Sequence, residues 1–93
     1  MKKRRTEDIF EQLGFDRNQA ANLSLRAEMM DALIAEIEKR GLTQAPAAKA
    51  LGVSQPRISD LMRGKLHLFS IDTLITLLSA LGLRVEMKVR RAA

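Results

Sequence analysis

The sequence contains no cysteine, no tryptophan and no tyrosine. The absence of cysteine excludes disulfides, thiolate nucleophiles and cysteine-based zinc sites, and it is typical of a reducing compartment. Only three residues are phenylalanine, so leucine, isoleucine, alanine and methionine must fill any core, a composition typical of packed helices. No apolar run is long enough to span a membrane. The 93 residues therefore predict one compact domain.

The charge balance is basic, with a formal net charge of +5. A small basic domain often binds a polyanion, although solubility alone also accounts for such a charge. The start, Lys2 to Arg5, is similar to the basic region of a signal peptide, but Glu7, Asp8 and Glu11 follow where an apolar region would be required. We therefore expect a cytoplasmic protein. The basic start is either a solvated tail or an arm that follows DNA.

The chain up to residue 81 has the periodicity and capping signals of four or five helices. Thr6 begins a short helix that ends near Gly14, and Asp16 with Gln19 forms a capping box for a second short turn. The next helix has one apolar face and ends before Gly41. Its apolar residues are Leu25, Met29, Leu33 and Ile37. Three further helices are predicted over residues 43–51, 54–63 and 71–81.

The C-terminal segment changes period, because apolar and charged residues alternate from residue 83 to residue 90. Alternation predicts a β-strand, and no other segment offers a second strand to pair with it. An unpaired strand leaves backbone groups and one apolar face bare, so we expect it to pair with the same strand of a second subunit. Two alternatives are pairing with a sheet edge of a partner protein and folding back on its own N-terminal segment. The predicted dimerisation residues are Leu83, Val85, Met87 and Val89.

The most constrained stretch spans residues 42–65, and it reads as two short helices joined by a tight corner. Thr43 is placed to cap the first helix, Gly52 can take the positive φ of a sharp exit, and Ser54 is placed to cap the second helix. Pro46 and Pro56 fall within opening turns, where a missing N–H costs little. This pattern predicts a helix-turn-helix, whose second helix enters the major groove of DNA.

The second helix has an apolar inward side and a polar outward side. Ile58, Leu61 and Met62 are expected to face inward. On the outer surface, Gln55 can pair with adenine, Arg57 with guanine, and the Pro56 ring can lie against a thymine methyl. Helix starts and basic side chains usually contact phosphates. The predicted DNA-binding residues are Gln44, Ser54, Gln55, Pro56, Arg57, Ser59, Arg63 and Lys65.

The stretch resembles the Xre/Cro-type helix-turn-helix family. The matching segments are Leu42-Thr43-Gln44, Leu51-Gly52-Val53-Ser54-Gln55, Ile58-Ser59 and Gly64-Lys65. The resemblance implies an all-α, lambda-repressor-like domain of four to five helices, here with a C-terminal β-strand used in dimerisation. By position, it places Gln44, Ser54, Gln55, Arg57, Ser59 and Arg63 at the family's DNA-contacting sites. Pro46 and Pro56 depart from the family pattern, because polar residues are commoner there.

Motifs outside this stretch resemble the HigA-like antitoxin branch of the family. They are Phe10-Glu11-x-Leu13-Gly14, Leu25-Arg26, Phe69-Ser70-x-Asp72-Thr73-Leu74 and Gly82-Leu83-Arg84-Val85. The resemblance implies a homodimer with two functions. One is the binding and neutralisation of a partner toxin, usually an RNA-cleaving one, and the other is repression of the operon that the two proteins share.

We therefore expect a transcriptional repressor and antitoxin that binds an inverted-repeat operator in double-stranded DNA. The expected organisation is an N-terminal arm with short helices over 1–24, the DNA-binding domain over 25–82 and a dimerisation strand and tail over 83–93. The alternatives are a stand-alone regulator without a toxin and a chiefly protein-binding module. No constellation predicts catalysis, a cofactor or a metal site, and His67, the one histidine, is expected on a surface loop.

Overall fold

A computed structural model describes residues 6–91 of the chain. The basic segment from Lys2 to Arg5, predicted as a tail or a DNA-following arm, lies outside the described residues. The described part is helical, which confirms the all-α architecture. Its elements are α1 (Thr6–Gln12), α2 (Arg17–Lys39), α3 (Gln44–Leu51), α4 (Gln55–Met62), a 3₁₀ turn (Leu66–Leu68) and α5 (Ile71–Ala80).

Helix α2 is a single helix of 23 residues, whereas the sequence predicted a short turn followed by a separate helix. Its start is as predicted. The Gln19 amide donates to Asp16 Oδ1 at 2.8 Å and the Asp16 amide donates to Gln19 Oε1 at 3.2 Å, so the capping box is complete. No glycine or proline lies within α2 to interrupt it, so the helix continues to Gly41, where φ is +65°.

The core lies where α2, α3, α4 and α5 meet. Leu33 of α2, Leu61 of α4 and Leu74 of α5 have no exposed surface, and neither has Phe69, just before α5. Burying a side chain of this size contributes about 1.5–3 kcal/mol, so these contacts account for much of the fold's stability. Within residues 6–91, no helix combines the length and apolar character needed to cross a lipid bilayer.

Two arginines of α2 attach it to later elements. Arg26 donates from Nη1 to the carbonyl oxygen of Leu66 at 3.1 Å. Arg40 donates to the carbonyl oxygen of Leu81, beyond the end of α5, and its Nε lies 2.8 Å from Glu36 Oε2. A cation near a helix C-terminus is favourable because the last carbonyl groups carry partial negative charge. These contacts hold the 3₁₀ turn and the end of α5 in place against α2.

The predicted C-terminal strand is wrong, because residues 83–91 contain neither strand nor helix. No strand occurs anywhere in the described range 6–91, so no ladder partner exists for this segment. We call residues 83–91 the C-terminal tail. Its apolar side chains are largely in solvent, with 40% of Val85, 85% of Met87 and 83% of Val89 exposed. The expected pairing of this strand with the same strand of a second subunit is therefore wrong as well.

Candidate nucleic-acid interface

The corner between α3 and α4 is fixed by its backbone. Gly52 adopts φ +70° and ψ +32°, a left-handed conformation that costs glycine little. The following amide, of Val53, donates back to the carbonyl oxygen of Ala48 at 3.0 Å. Ser54 then caps α4, its Oγ accepting from the Arg57 amide at 3.3 Å. The predicted turn at Gly52 and the predicted cap at Ser54 are confirmed, and together they set the angle between the two helices.

Four of the predicted contact residues are exposed to solvent at the starts of the two helices. Gln44, the first residue of α3, is exposed, and so are Ser54, Gln55 and Pro56 at the start of α4. Thr43 has the extended backbone of a cap, but its side chain makes no capping hydrogen bond, unlike the prediction. The two helix starts thus present backbone N–H groups and polar side chains on the surface, an arrangement suited to phosphate oxygens.

The opposite side of α4 anchors it in the core. Ile58 and Leu61 are buried, and the half-buried Met62 packs against them, so the predicted inward side is confirmed. Ala47 and Ala48 of α3 are also buried, and their small side chains allow α4 to pack closely. The exposed residues at the start of α4 therefore stand on a rigid helix rather than a loop.

Arg57 is in a different setting from the other predicted readers. Its side chain is half-buried, and the guanidinium carbon lies 4.0 Å from the centroid of the Phe69 ring. This is a cation–π contact, with the planar guanidinium covering an aromatic ring. The structure thus holds the Arg57 head group in place beside the start of α4.

The two basic residues beyond the last turn of α4 differ in their surroundings. Lys65 Nζ lies 3.2 Å from Asp60 Oδ1, and the Lys65 amide donates to the Asp60 carbonyl oxygen at 3.2 Å. Lys65 therefore carries a charge that Asp60 largely offsets. Arg63 is exposed at the C-cap of α4, and Ser59 is half-buried. Of the two basic residues, Arg63 is the better placed to contact a phosphate.

A model of the helix-turn-helix domain family matches residues 9–90. A solved structure described as "Putative XRE Family Transcriptional Regulator" is 39% identical in sequence, with a TM-score of 0.74, over 80% of this chain and 83% of its own. No curated protein matches the chain. The chain belongs to the Xre-type helix-turn-helix family. The predicted family is thereby confirmed, while the HigA-like branch is a finer assignment that the matches do not address.

Two features of this Xre-type domain were missed by sequence reasoning. Arg57 and Phe69 lie 12 positions apart on different elements, and no local motif signals their contact. The second missed feature is the ion pair between Asp60 and Lys65. That pair has a signal in the sequence, since opposite charges lie on either side of Gly64, which has φ +71°.

Proposed function

We propose that this Xre-type domain is a sequence-specific DNA-binding repressor that acts as a homodimer on an inverted-repeat operator. The observation that carries the proposal is the exposure of Gln44, Ser54, Gln55 and Pro56 at the starts of α3 and α4, two helices that pack against each other and bury an apolar face. The XRE regulator with 39% identity supports the same class of function. A formal net charge of +5 favours approach to a polyanion.

In this mechanism α4 lies in the major groove with its first turn against the base edges. Gln55 offers an amide that can donate and accept at once, which suits adenine. Arg57 carries donors that suit guanine O6 and N7, and its stacking on Phe69 orders the head group before DNA binds. At the start of α3, Gln44 and the backbone amides contact phosphates and set the register.

The proposal includes a second role, as the antitoxin that neutralises an RNA-cleaving toxin and represses the operon they share. Its support is the resemblance to HigA-like antitoxins at both ends of the chain, in Phe10-Glu11-x-Leu13-Gly14 and Gly82-Leu83-Arg84-Val85. The family match over residues 9–90 includes both segments. A dimeric repressor that also binds its toxin couples operon expression to the ratio of the two proteins.

The DNA-binding role is tested by selecting sites from a random duplex pool and then comparing two variants on matched and mismatched sites. Gln55→Ala should lose about 1–3 kcal/mol of discrimination at one base pair, whereas Arg63→Ala should weaken all sequences alike and reduce the salt slope by roughly 1. Lys39→Ala, which removes an exposed charge outside the corner, is the control. Equal, sequence-independent losses for Gln55→Ala and Arg63→Ala would overturn this assignment.

The antitoxin role is tested with the protein encoded beside this chain. Expressed alone it should arrest growth and cleave RNA, and expressed with this chain it should co-purify and become inactive. If the neighbouring protein neither binds this chain nor is toxic, the antitoxin role is wrong, and the alternative of a DNA-binding regulator without a toxin stands. DNA binding is measured separately, so the two parts of the proposal fail independently.

A further inference from the structure

A carboxylate lies on the outward side of α4. Asp60 follows Pro56 by four positions and precedes Arg63 by three, and residues with these spacings share one face of a helix. Pro56 and Arg63 are exposed, and Asp60 is half-buried. Asp60 therefore lies between a predicted base contact and a predicted phosphate contact, on the face that the proposed function directs into the major groove.

The backbone fixes the position of the cation that pairs with Asp60. Gly64 adopts φ +71°, and the amide of Lys65 then donates to the Asp60 carbonyl oxygen at 3.2 Å. The next carbonyl oxygen, of Leu66, accepts from Arg26 Nη1 at 3.1 Å. Lys65 Nζ lies 3.2 Å from Asp60 Oδ1. Hydrogen bonds to α4 and to α2 thus hold the chain around Lys65, and the ion pair has a built geometry.

The ion pair leaves the Asp60 carboxylate able to accept further hydrogen bonds. An ionised carboxylate has two oxygens with about four lone-pair sites and no donor, so one ammonium group does not satisfy it. The Asp60 side chain is 30% exposed, so solvent or another donor can reach it. A group that only accepts suits the N4 amino group of cytosine, whereas the major-groove edge of guanine presents the acceptors O6 and N7.

The charge of Asp60 also acts against DNA in general. A carboxylate carried into the major groove lies near phosphates, and like charges repel. In the absence of Asp60, Lys65 would add a positive charge that attracts every sequence equally. The ion pair cancels that charge, so this part of the interface contributes little to sequence-independent binding.

We propose that Asp60 is a specificity-determining residue that acts by exclusion. Its carboxylate rejects guanine at the base pair that it faces and lowers the affinity for unrelated DNA. Lys65 is the positioning residue that holds the carboxylate in place and offsets its charge. This inference rests on the proposed DNA-binding function, and it assigns selectivity to a residue that the base contacts of Gln55 and Arg57 do not involve.

Sequence-independent binding is measured on random-sequence duplex DNA with the full-length chain. Asp60→Asn should raise affinity about fivefold near 0.15 M salt and steepen the salt slope by roughly 0.9, because Lys65 is no longer offset. Lys65→Gln should lower affinity about fivefold, because the carboxylate is then unopposed. Both substitutions remove the same ion pair, so a merely structural role predicts effects of the same sign.

Base exclusion is measured on duplexes in which each base pair of the selected operator is changed in turn. One position in each half-site should reject guanine about tenfold with the unmodified chain, and Asp60→Asn should reduce that factor below about threefold, since an amide can also donate to guanine. The combined variant Asp60→Asn with Lys65→Gln keeps the net charge. It should bind random duplexes within about twofold of the unmodified chain and still lose the discrimination.

Asp31→Asn is the matched control, because it removes an exposed carboxylate from α2 and changes the net charge equally. All affinities are compared at equal concentrations of folded protein, measured by helical circular dichroism. An equal rise in affinity for Asp31→Asn and Asp60→Asn would show an effect of net charge alone and overturn the inference. So would an Asp60→Asn variant with unchanged base preferences and an unchanged salt slope. An unmodified chain that selects no DNA sequence would overturn the proposed function and this inference together.

Discussion

At the scale of single residues, Arg57 contributes to stability before any DNA is bound. Its guanidinium covers the fully buried ring of Phe69 at 4.0 Å. Removing it deletes a cation–π contact and uncovers an aromatic ring. We expect Arg57→Ala to lower the free energy of unfolding by about 1–2 kcal/mol. Urea denaturation of the free protein measures this.

Arg63→Ala is the matched control for that measurement, since Arg63 is an exposed arginine at the C-cap of the same helix. Its effect should stay within about 0.5 kcal/mol. Arg57→Met, which keeps an apolar cover over Phe69, should recover part of the loss. Equal stabilities for Arg57→Ala and Arg63→Ala would show that the stacking contributes nothing. DNA discrimination by Arg57 depends on the same contact. The DNA affinities of Arg57→Ala and of the unmodified chain must therefore be compared at equal concentrations of folded protein.

These residues also show which parts of the site the sequence predicts. Ser54 and Gly52 act on neighbours within a few positions, so their identities alone indicate a cap and a left-handed turn. The surroundings of Arg57 depend on where the chain returns 12 residues later, and no short motif encodes that. Exposure at Gln55 was predictable for the same local reason as the cap, whereas the contact partner of Arg57 was not.

At the scale of elements, the corner between α3 and α4 depends on one backbone conformation. Gly52 has φ +70°, and a Cβ added there would meet no atom within 4 Å. The cost of Gly52→Ala is therefore conformational rather than steric. A left-handed alanine costs about 1–2 kcal/mol, and the lower entropy of its unfolded chain returns about 0.4–1 kcal/mol.

We therefore expect Gly52→Ala to be destabilising by about 1 kcal/mol. Gly52→Asn should lose less, since asparagine tolerates this conformation better than alanine. Thermal unfolding at a common protein concentration compares the two. An equal loss of stability for both substitutions would show that the left-handed φ at position 52 does not determine the stability of the corner.

Two elements differ from their prediction for a shared reason. Helix α2 was predicted as two helices because its capping box and its later apolar stripe look like two separate helix starts. Only a glycine, a proline or a packing conflict would have ended the first of these helices. The strand over residues 83–89 was predicted from alternation, which reports the side chains but not the ladder partner. In both cases the outcome depends on what the rest of the chain supplies to that segment.

At the scale of the whole molecule, the distance between two α4 helices should determine which DNA the protein binds. Two recognition helices on one face of a duplex engage successive major grooves about 34 Å, or roughly 10–10.5 base pairs, apart. In the proposed homodimer that distance is set by the interface between the two subunits. A two-fold homodimer holds its subunits in one arrangement, so it should tolerate little change in that spacing.

We expect five base pairs inserted at the centre of the selected operator to lower affinity by at least about tenfold, because the second half-site turns to the far side of the duplex. Ten inserted base pairs restore its direction but not its distance, so affinity should stay low. Fluorescence anisotropy at fixed salt measures all three duplexes. A duplex that carries a single half-site is the control and should bind weakly. Tight binding of the unmodified chain at every spacing would show that each domain reads its half-site independently, against a rigid dimer on an inverted repeat.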